Sequence, residues 1–162
     1  MLKNLSLYLL VGVLALALGG WARGLMMAPL DTQLPEQRLP TLAGTSTSLL
    51  DPDGPQLLYL FAPWCTFCKA TVDDVLDRQG QGASMAAVAL SYQSVDEVAE
   101  MVGEHPQRHQ VLLGGPQLSS QLGVRGFPSY VIVDAQGHLL WRRSGYMPDW
   151  MLGLYLRWHK VL

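Results

Sequence analysis

The sequence predicts an α/β domain with a central mixed sheet and helices on both faces, preceded by an N-terminal membrane helix. Three observations support this prediction. The chain begins with an apolar segment, strand-like and helix-like segments alternate after residue 55, and two adjacent strand-like runs follow near the end. Alternation predicts parallel strands joined by helices, whereas adjacent runs joined by a short turn predict an antiparallel pair. The two together predict a mixed sheet.

The first elements of the domain are a short hairpin and a buried strand, and helices and strands alternate after them. Proline-rich and glycine-rich turns separate the elements, as at residues 51–55 and 80–82. The predicted elements are hairpin strands at 38–42 and 47–50, a strand at 56–61, a helix from the cysteine pair to about Arg78, a strand at 85–90, a helix capped by Ser94 and Glu97, a strand at 111–113, a helix at 116–122, strands at 129–134 and 139–142, and a helix at 148–160.

The spacing of apolar residues predicts which face of each helix is buried. The predicted inner residues are Val72, Val75 and Leu76 in the first long helix, Val95, Val98, Met101 and Val102 in the second, and Met151, Leu154, Tyr155 and Trp158 in the last.

The N-terminal segment differs in kind from the rest of the chain. Residues 5–22 are eighteen uncharged, mostly apolar residues, close to the roughly 20 that a membrane-spanning helix needs. We therefore expect residues 1–27 to form a signal anchor, residues 28–37 a linker and residues 38–162 the folded domain. Cleavage after Ala17, which ends a small-x-small pattern, would instead release a soluble protein. In either case we expect the domain to lie in the periplasm, held by a single-pass anchor in the cytoplasmic membrane if cleavage does not occur.

Charge and cysteine content exclude some classes of function. The formal net charge is −2 and no run of basic residues occurs, which argues against a nucleic-acid partner because phosphate binding needs clustered Lys and Arg. Only two cysteines are present, which agrees with an oxidising compartment, where a spare thiol would mispair.

Those two cysteines, Cys65 and Cys68, lie where the strand at 56–61 gives way to a helix. At positions i and i+3 they share a helix face, so they can form a disulfide or stand as a dithiol. The helix N-terminus favours thiolate over thiol at Cys65. Cys65 is therefore the expected nucleophile, and Cys68 the resolving thiol that releases a mixed disulfide.

Other uses of the pair are less well supported by the sequence. A purely structural disulfide would close too short a loop to stabilise the fold much. A zinc site needs two further ligands, and Pro106 interrupts the spacing of His105 and His109. A copper-binding module could use the two thiols as soft ligands. We expect no resident metal or cofactor.

Two motifs carry a resemblance to a known family. The run Phe61-Ala62-Pro63-Trp64-Cys65-x-x-Cys68 and the later segment at residues 123–134 resemble the thioredoxin superfamily, and within it the membrane-anchored bacterial TlpA/ResA-like proteins. Ser144-Gly145-Tyr146 and the aromatic-rich last helix are most similar to the suppressor-of-copper-sensitivity D-type members. The resemblance implies a thioredoxin-like fold from about Leu39 to the end of the chain.

The resemblance also implies roles for residues around the cysteines. Pro128 corresponds to the family's cis-proline, whose loop packs against the cysteine pair, and Phe127 would line the substrate groove. Trp64 would form a contact surface beside the thiols. The supporting residues are Tyr59, Pro63, Thr66 and Phe67, of which Thr66 and Phe67 occupy the positions that tune potential.

The chain departs from thioredoxin itself at two positions. Tyr59 stands where thioredoxin has a buried carboxylate. A tyrosine is a poor proton acceptor near neutral pH, so deprotonation of Cys68 would rely on water or another group. Asp73 stands where the family has a helix-kinking proline, which predicts a straighter first helix.

By this resemblance the chain is a thiol-disulfide oxidoreductase acting on protein substrates at the outer face of the membrane. TlpA/ResA-like relatives are mostly reductants, recharged by a membrane electron-transfer partner of the DsbD/CcdA kind, and copper tolerance is one possible setting. The alternatives are a disulfide-forming oxidant, which would need an inserted helical domain, and the copper-binding module. Redox direction depends on a potential that the residues alone do not supply.

Overall fold

The computed structural model describes residues 7–8, 10–15, 18–19, 22, 27–30 and 32–161. It confirms an α/β fold with a mixed central sheet. The strands are β1 Arg38–Pro40, β2 Ser46–Ser48, β3 Gln56–Phe61, β4 Met85–Ala89, β5 Leu112–Leu113, β6 Ser129–Val133 and β7 Leu139–Ser144. The helices are α1 Thr66–Lys69, α2 Val72–Gly80, α3 Val95–Val102, α4 Pro116–Gln121 and α5 Asp149–Trp158, with a 3₁₀ turn at Arg108–Gln110.

The main sheet has five strands in the order β5-β4-β3-β6-β7, and β1 pairs with β2 in a separate antiparallel hairpin. β3 runs parallel to β4 and antiparallel to β6, so the change of direction occurs beside the central strand. Residues 57–61 of β3 are fully buried, which explains why this strand is a continuous apolar run rather than an alternating one.

Successive β3 side chains point to opposite faces of the sheet and divide the core in two. Leu57, Tyr59 and Phe61 belong to a cluster that includes buried residues of α2, α3 and α5. Leu58 and Leu60 belong to a second cluster with Leu118 of α4 and residues of the β1–β2 hairpin. Helices therefore pack on both faces, as predicted.

The helix predicted from the cysteine pair to Arg78 is wrong as a single straight element. It is broken at Ala70 and Thr71 into α1 and α2. The Thr71 hydroxyl donates to the carbonyl of Phe67, four residues earlier, a hydrogen bond that competes with the helical ladder and bends helices. A threonine therefore interrupts the helix although the proline is missing. The predicted inner residues of α2 are buried.

The predicted inner face of α5 is partly wrong: Met151 and Tyr155 pack against the first core cluster as predicted, but the other two predicted residues do not. Leu152 and Leu156 are buried, whereas Leu154 and Trp158 are 61% and 82% exposed. The apolar residues of α5 itself lie on more than one side of the helix, so their spacing alone did not identify the buried face. Its rotation is set by tertiary contacts, among them Tyr155 against Trp141 with ring centroids 4.5 Å apart.

In α3, Ser94 caps the helix as predicted, because its hydroxyl accepts a hydrogen bond from the Glu97 amide at 3.3 Å. Val98 and Val102 are buried, but Val95 is 45% exposed. Its assignment to the inner face is therefore wrong.

Much of the expected membrane segment, residues 1–27, lies outside the described residues. In the part of the chain that is described, no helix has the length and apolar character needed to cross a bilayer.

The described part of residues 28–37 lies against the domain. Leu34 is 1% exposed, and its amide donates to the Gly137 carbonyl at 2.9 Å. The Ala28 amide donates to Leu122 at 3.0 Å. Gly123 has φ +60°, and a side chain there would meet the Ala28 nitrogen at 2.7 Å. These contacts differ from those of an extended linker, because Leu34 contributes to the second core cluster.

Candidate active site

The cysteine pair lies just beyond the carboxyl end of β3. The strand ends at Phe61, Cys65 caps α1, and Cys68 follows within the helical turn. The two cysteines are joined as a disulfide, with their Cα atoms 5.2 Å apart. The expected juxtaposition at i and i+3 is therefore present, in its oxidised form.

The two cysteines are both buried and differ slightly in exposure. Cys65 is 5% exposed and Cys68 is fully buried. The Cys65 sulfur accepts a hydrogen bond from the Cys68 amide at 3.2 Å, and such a bond favours the thiolate once the disulfide is opened. Since α1 has only four residues, this direct N–H contact, rather than a long helix dipole, is the local source of thiolate stabilisation.

A proline loop lies at the same end of the sheet as the disulfide. The Phe127–Pro128 peptide bond is cis, as the family resemblance implies. Leu60 of β3 pairs with Ser129 of β6. Pro128, which directly precedes β6, therefore lies beside the end of β3. The Ser129 hydroxyl donates a hydrogen bond to the Gly126 carbonyl at 2.8 Å, and the Pro128 carbonyl accepts one from the Gly145 amide at 2.8 Å. These bonds hold the loop on both sides.

Exposed aromatic rings surround the disulfide. Trp64 is 64% exposed and Phe67 is 61% exposed. Trp64 packs edge to face on Phe127 with ring centroids 5.6 Å apart, and Phe67 lies 6.0 Å from Tyr146. Trp64, Phe67, Phe127 and Tyr146 together are called the aromatic rim below. Exposed apolar patches are a feature that protein interaction sites and ligand-binding grooves have in common.

Two grooves adjoin the aromatic rim. Trp64 lines one of about 440 Å³, together with Lys69 and Met101. The indole N–H of Trp64 donates to the Ser91 carbonyl at 2.9 Å, and Ser91 lines the second groove, of about 580 Å³, with Arg125. Trp64 therefore lines the first groove directly and is linked to the second through its hydrogen bond to Ser91.

Beneath the disulfide, Tyr59 occupies the position where thioredoxin itself has a buried carboxylate. It is fully buried, and its hydroxyl lies 2.8 Å from the Thr71 hydroxyl and 3.4 Å from the Cys68 carbonyl. Burial raises the pKa of Tyr59 far above its usual value, and burial raises the pKa of the neighbouring Tyr130 to about 12. Both phenols are therefore neutral at physiological pH.

The structure brings most of the predicted site residues to one end of the sheet. Cys65, Cys68, Trp64, Phe127 and Pro128 lie around the disulfide, and Tyr59 lies below it. Pro63 is buried in the approach to α1, whereas Thr66 is exposed between the cysteines. Sequence reasoning missed the contacts of Thr71 and Ser91, because neither residue belongs to a motif and both meet partners distant in the chain. Within the described residues, no group of three or more His, Cys, Asp or Glu side chains could hold a metal ion.

Comparison with known proteins agrees with this fold. The family model described as a thioredoxin-like domain matches residues 50–157. No curated protein matches the chain significantly in sequence. The fold is similar to that of a thiol:disulfide interchange protein of Chlorobium tepidum, with 19% identity, a TM-score of 0.66 and coverage of 80% of this chain and 96% of the other.

Two further solved structures show a similar fold. The exposed lipoprotein thioredoxin of Streptococcus pneumoniae is 20% identical with a TM-score of 0.65, over 76% of this chain and 98% of the other. A secreted disulfide oxidoreductase of Mycobacterium tuberculosis, described as homologous to DsbE of E. coli, is 18% identical with a TM-score of 0.62, over 80% and 98%.

Proposed function

We propose, on the premise that this chain belongs to the thioredoxin-like family, that it reduces disulfides in protein substrates outside the cytoplasm. The chain is accordingly an oxidoreductase of thioredoxin type, with Cys65 and Cys68 as its Cys-x-x-Cys pair. The observation that carries the proposal is the pairing of a slightly exposed Cys65 with a fully buried Cys68 in one disulfide.

The reaction proceeds by two thiol-disulfide exchanges. In the reduced protein the Cys65 thiolate attacks a substrate disulfide, forming a mixed disulfide and releasing one substrate thiolate. The Cys68 thiolate then attacks the Cys65 sulfur, closing the disulfide and releasing the second substrate thiolate. Two electrons pass to the substrate, the two released thiolates take up protons, and the two protein thiols lose theirs. Cys68 gives its proton to water or another group, because Tyr59 stays neutral.

The substrate class follows from the surroundings of Cys65. The aromatic rim offers an apolar surface wider than a small thiol needs, and the two grooves beside it add polar and charged lining residues, among them Lys69, Glu97 and Arg125. A surface of this extent and mixed character supports a polypeptide substrate. We assign Trp64, Phe127 and Pro128 to substrate contact. Phe67 and Thr66 lie between the cysteines and Pro63 before them, so these three support the site.

The proposed location is the outer face of the cytoplasmic membrane, with residues 1–27 as anchor. Support comes from the apolar N-terminal sequence and from the relatives described as an exposed lipoprotein and a secreted oxidoreductase. The similarity to TlpA/ResA-like and suppressor-of-copper-sensitivity D-type proteins supports the reducing direction, recharging by a membrane partner of the DsbD/CcdA kind, and repair of wrongly oxidised thiols under copper stress.

Reduction of insulin by the full-length protein, with dithiothreitol as electron source, tests the exchange activity. We expect Cys65→Ser to abolish the reaction. In a separate incubation with insulin after dithiothreitol has been removed, reduced Cys68→Ser should accumulate a mixed disulfide, which added dithiothreitol then releases. Activity that survived Cys65→Ser would contradict the assignment of the nucleophile. Stoichiometric Cu(I) uptake by a protein without exchange activity would replace the proposal with the copper-binding module.

Equilibration with glutathione buffers tests the direction. A reductant should have a potential near that of thioredoxin, about −270 mV, whereas a value near the roughly −120 mV of DsbA would identify an oxidant.

A further inference from the structure

A chain of buried hydroxyl groups lies directly beneath the cysteine-bearing turn. The Tyr59 hydroxyl is 2.8 Å from the Thr71 hydroxyl, and the Thr71 hydroxyl is 3.0 Å from the Phe67 carbonyl. Both hydroxyls also lie 3.4 Å from the Cys68 carbonyl. Tyr59 is fully buried and Thr71 is 4% exposed. The two carbonyls belong to the resolving cysteine and to the residue just before it.

The number of available protons decides which group donates in each hydrogen bond of this series. Each hydroxyl has one proton to donate and can also accept, and a backbone carbonyl can only accept. Because the Thr71 proton satisfies Phe67 at the shorter distance, Tyr59 must be the donor in its contact with Thr71. The order is therefore Tyr59 to Thr71 to Phe67, with Cys68 as the longer, second acceptor of both groups.

The Thr71 hydroxyl replaces a backbone donor that the Phe67 carbonyl loses where the helix is broken. In a continuous helix the Thr71 amide would donate to Phe67, four residues earlier. Here that amide donates to Cys68 at 3.1 Å, and the Thr71 hydroxyl donates to Phe67 in its place. Thr71 thus ends the cysteine-bearing turn with two hydrogen bonds, one from its amide and one from its side chain.

We propose that Thr71 is a positioning residue of the redox site, oriented by Tyr59. This inference rests on the proposed exchange function and adds a residue to it. By holding the carbonyls of Phe67 and Cys68, Thr71 keeps the turn closed when the disulfide is open, so the Cys68 sulfur stays beside the Cys65 sulfur. Two thiols that are held side by side have a high effective concentration for forming a disulfide with each other. The protein disulfide is then favoured, and the dithiol is a stronger reductant.

The relevant equilibrium is the exchange of the protein disulfide with two glutathione thiols, which gives the protein dithiol and one glutathione disulfide. One protein S–S bond breaks, one glutathione S–S bond forms, and two electrons and two protons move to the protein. A looser turn shifts this equilibrium toward the dithiol.

The test compares variants of the full-length protein in this equilibrium. Thr71→Val removes the hydroxyl and keeps the branched shape, whereas Thr71→Ser restores a hydroxyl. Thr41→Val is the matched control, because Thr41 is 6% exposed and bonds Thr45 by its hydroxyl at 2.8 Å in the β1–β2 hairpin. For Thr71→Val we expect about a tenfold shift toward the dithiol, which is about 30 mV less negative. The equilibrium constants of Thr71→Ser and Thr41→Val should stay within about twofold of the wild-type value, which corresponds to a difference in potential of about 9 mV.

A folded Thr71→Val protein with the wild-type equilibrium constant would overturn the proposal. So would a Thr41→Val shift as large as that of Thr71→Val, because the effect would then follow from any lost buried hydroxyl. If Thr71→Val does not fold, Tyr59→Phe removes the first donor and should shift the equilibrium in the same direction, and no shift there would overturn the proposal. A wild-type protein that exchanges with neither glutathione nor insulin would instead refute the proposed function.

Discussion

The ring of Trp64 meets the ring of Phe127 edge to face, with centroids 5.6 Å apart, although 63 positions of sequence separate the two residues. Trp64 directly precedes Cys65, the proposed nucleophile, and Phe127 directly precedes the cis-proline, Pro128. The contact joins the two loops that frame the disulfide, because β3 ends and β6 begins at the same end of the sheet.

Replacement of Trp64 should separate protein substrates from small thiols. We expect Trp64→Ala to slow insulin reduction about tenfold, mainly through a higher KM, because the variant removes a large exposed ring from the aromatic rim. The rate at which dithiothreitol reduces the Cys65–Cys68 disulfide should change by less than about twofold. Trp158→Ala is the control, since Trp158 is 82% exposed on α5. Equal losses of activity in the two variants would argue against a docking role for Trp64.

The two buried tyrosines of the core should respond differently to loss of the hydroxyl. Tyr59→Phe removes a hydroxyl bonded to Thr71 and should cost about 1 kcal/mol of unfolding free energy. The hydroxyl of Tyr130 makes no hydrogen bond of ordinary geometry among the described residues, although weaker contacts with the Thr71 side chain and the Met147 backbone partly offset the effect of burial on its pKa. Tyr130→Phe should therefore cost less unfolding free energy than Tyr59→Phe, because it removes a buried hydroxyl that is poorly satisfied. Urea unfolding of the two variants measures the difference, and equal destabilisation would contradict this reasoning.

The ion pair between α2 and α5 should give a pH-dependent stability. Arg78 donates two hydrogen bonds to the Asp149 carboxylate, at 2.7 and 2.8 Å, and this contact holds the pKa of Asp149 below its usual value. The carboxylate therefore stabilises the fold above the unfolded pKa of about 3.9, and this contribution is lost as the pH falls through the lower folded value.

Because the pair is partly exposed, Asp149→Asn should cost at most about 1 kcal/mol at pH 7. The difference from wild type should shrink in urea unfolding experiments as the pH falls below about 4. A constant difference at all pH values would mean that Asp149 acts through packing rather than charge.

The segment before β1 should contribute to stability. Leu34 is 1% exposed and Leu30 is 51% exposed within the same short segment. We expect Leu34→Ala to lower the unfolding free energy by about 2 to 4 kcal/mol because it leaves a cavity in the second core cluster. Leu30→Ala should change it by less than about 0.5 kcal/mol. Thermal or urea unfolding of the two variants would reveal an undocked segment if both behaved like wild type.

Local pattern was enough to place most elements. The apolar run at 56–61 corresponds to β3 at the same bounds, and Ser94 with Glu97 marks the true start of α3. The two cysteines and the segment around Pro128 identified the redox centre, because these features depend on residues that are neighbours in the chain. A strand period, a cap or a Cys-x-x-Cys spacing is a short-range property, and it can be recognised without knowing what lies opposite.

Features that depend on a distant partner were decided by packing. The buried face of α5 follows from Trp141 and from the ion pair of Asp149 with Arg78, since large apolar residues occur on both the buried and the exposed sides of this helix. The break at Thr71 and its link to Tyr59 join residues twelve positions apart, and Leu34 reaches Gly137 across the fold. Burial free energy and hydrogen-bond satisfaction are summed over the whole core. The amino-acid order therefore determined the elements and the chemistry of the site, and the packed fold determined how that site is held.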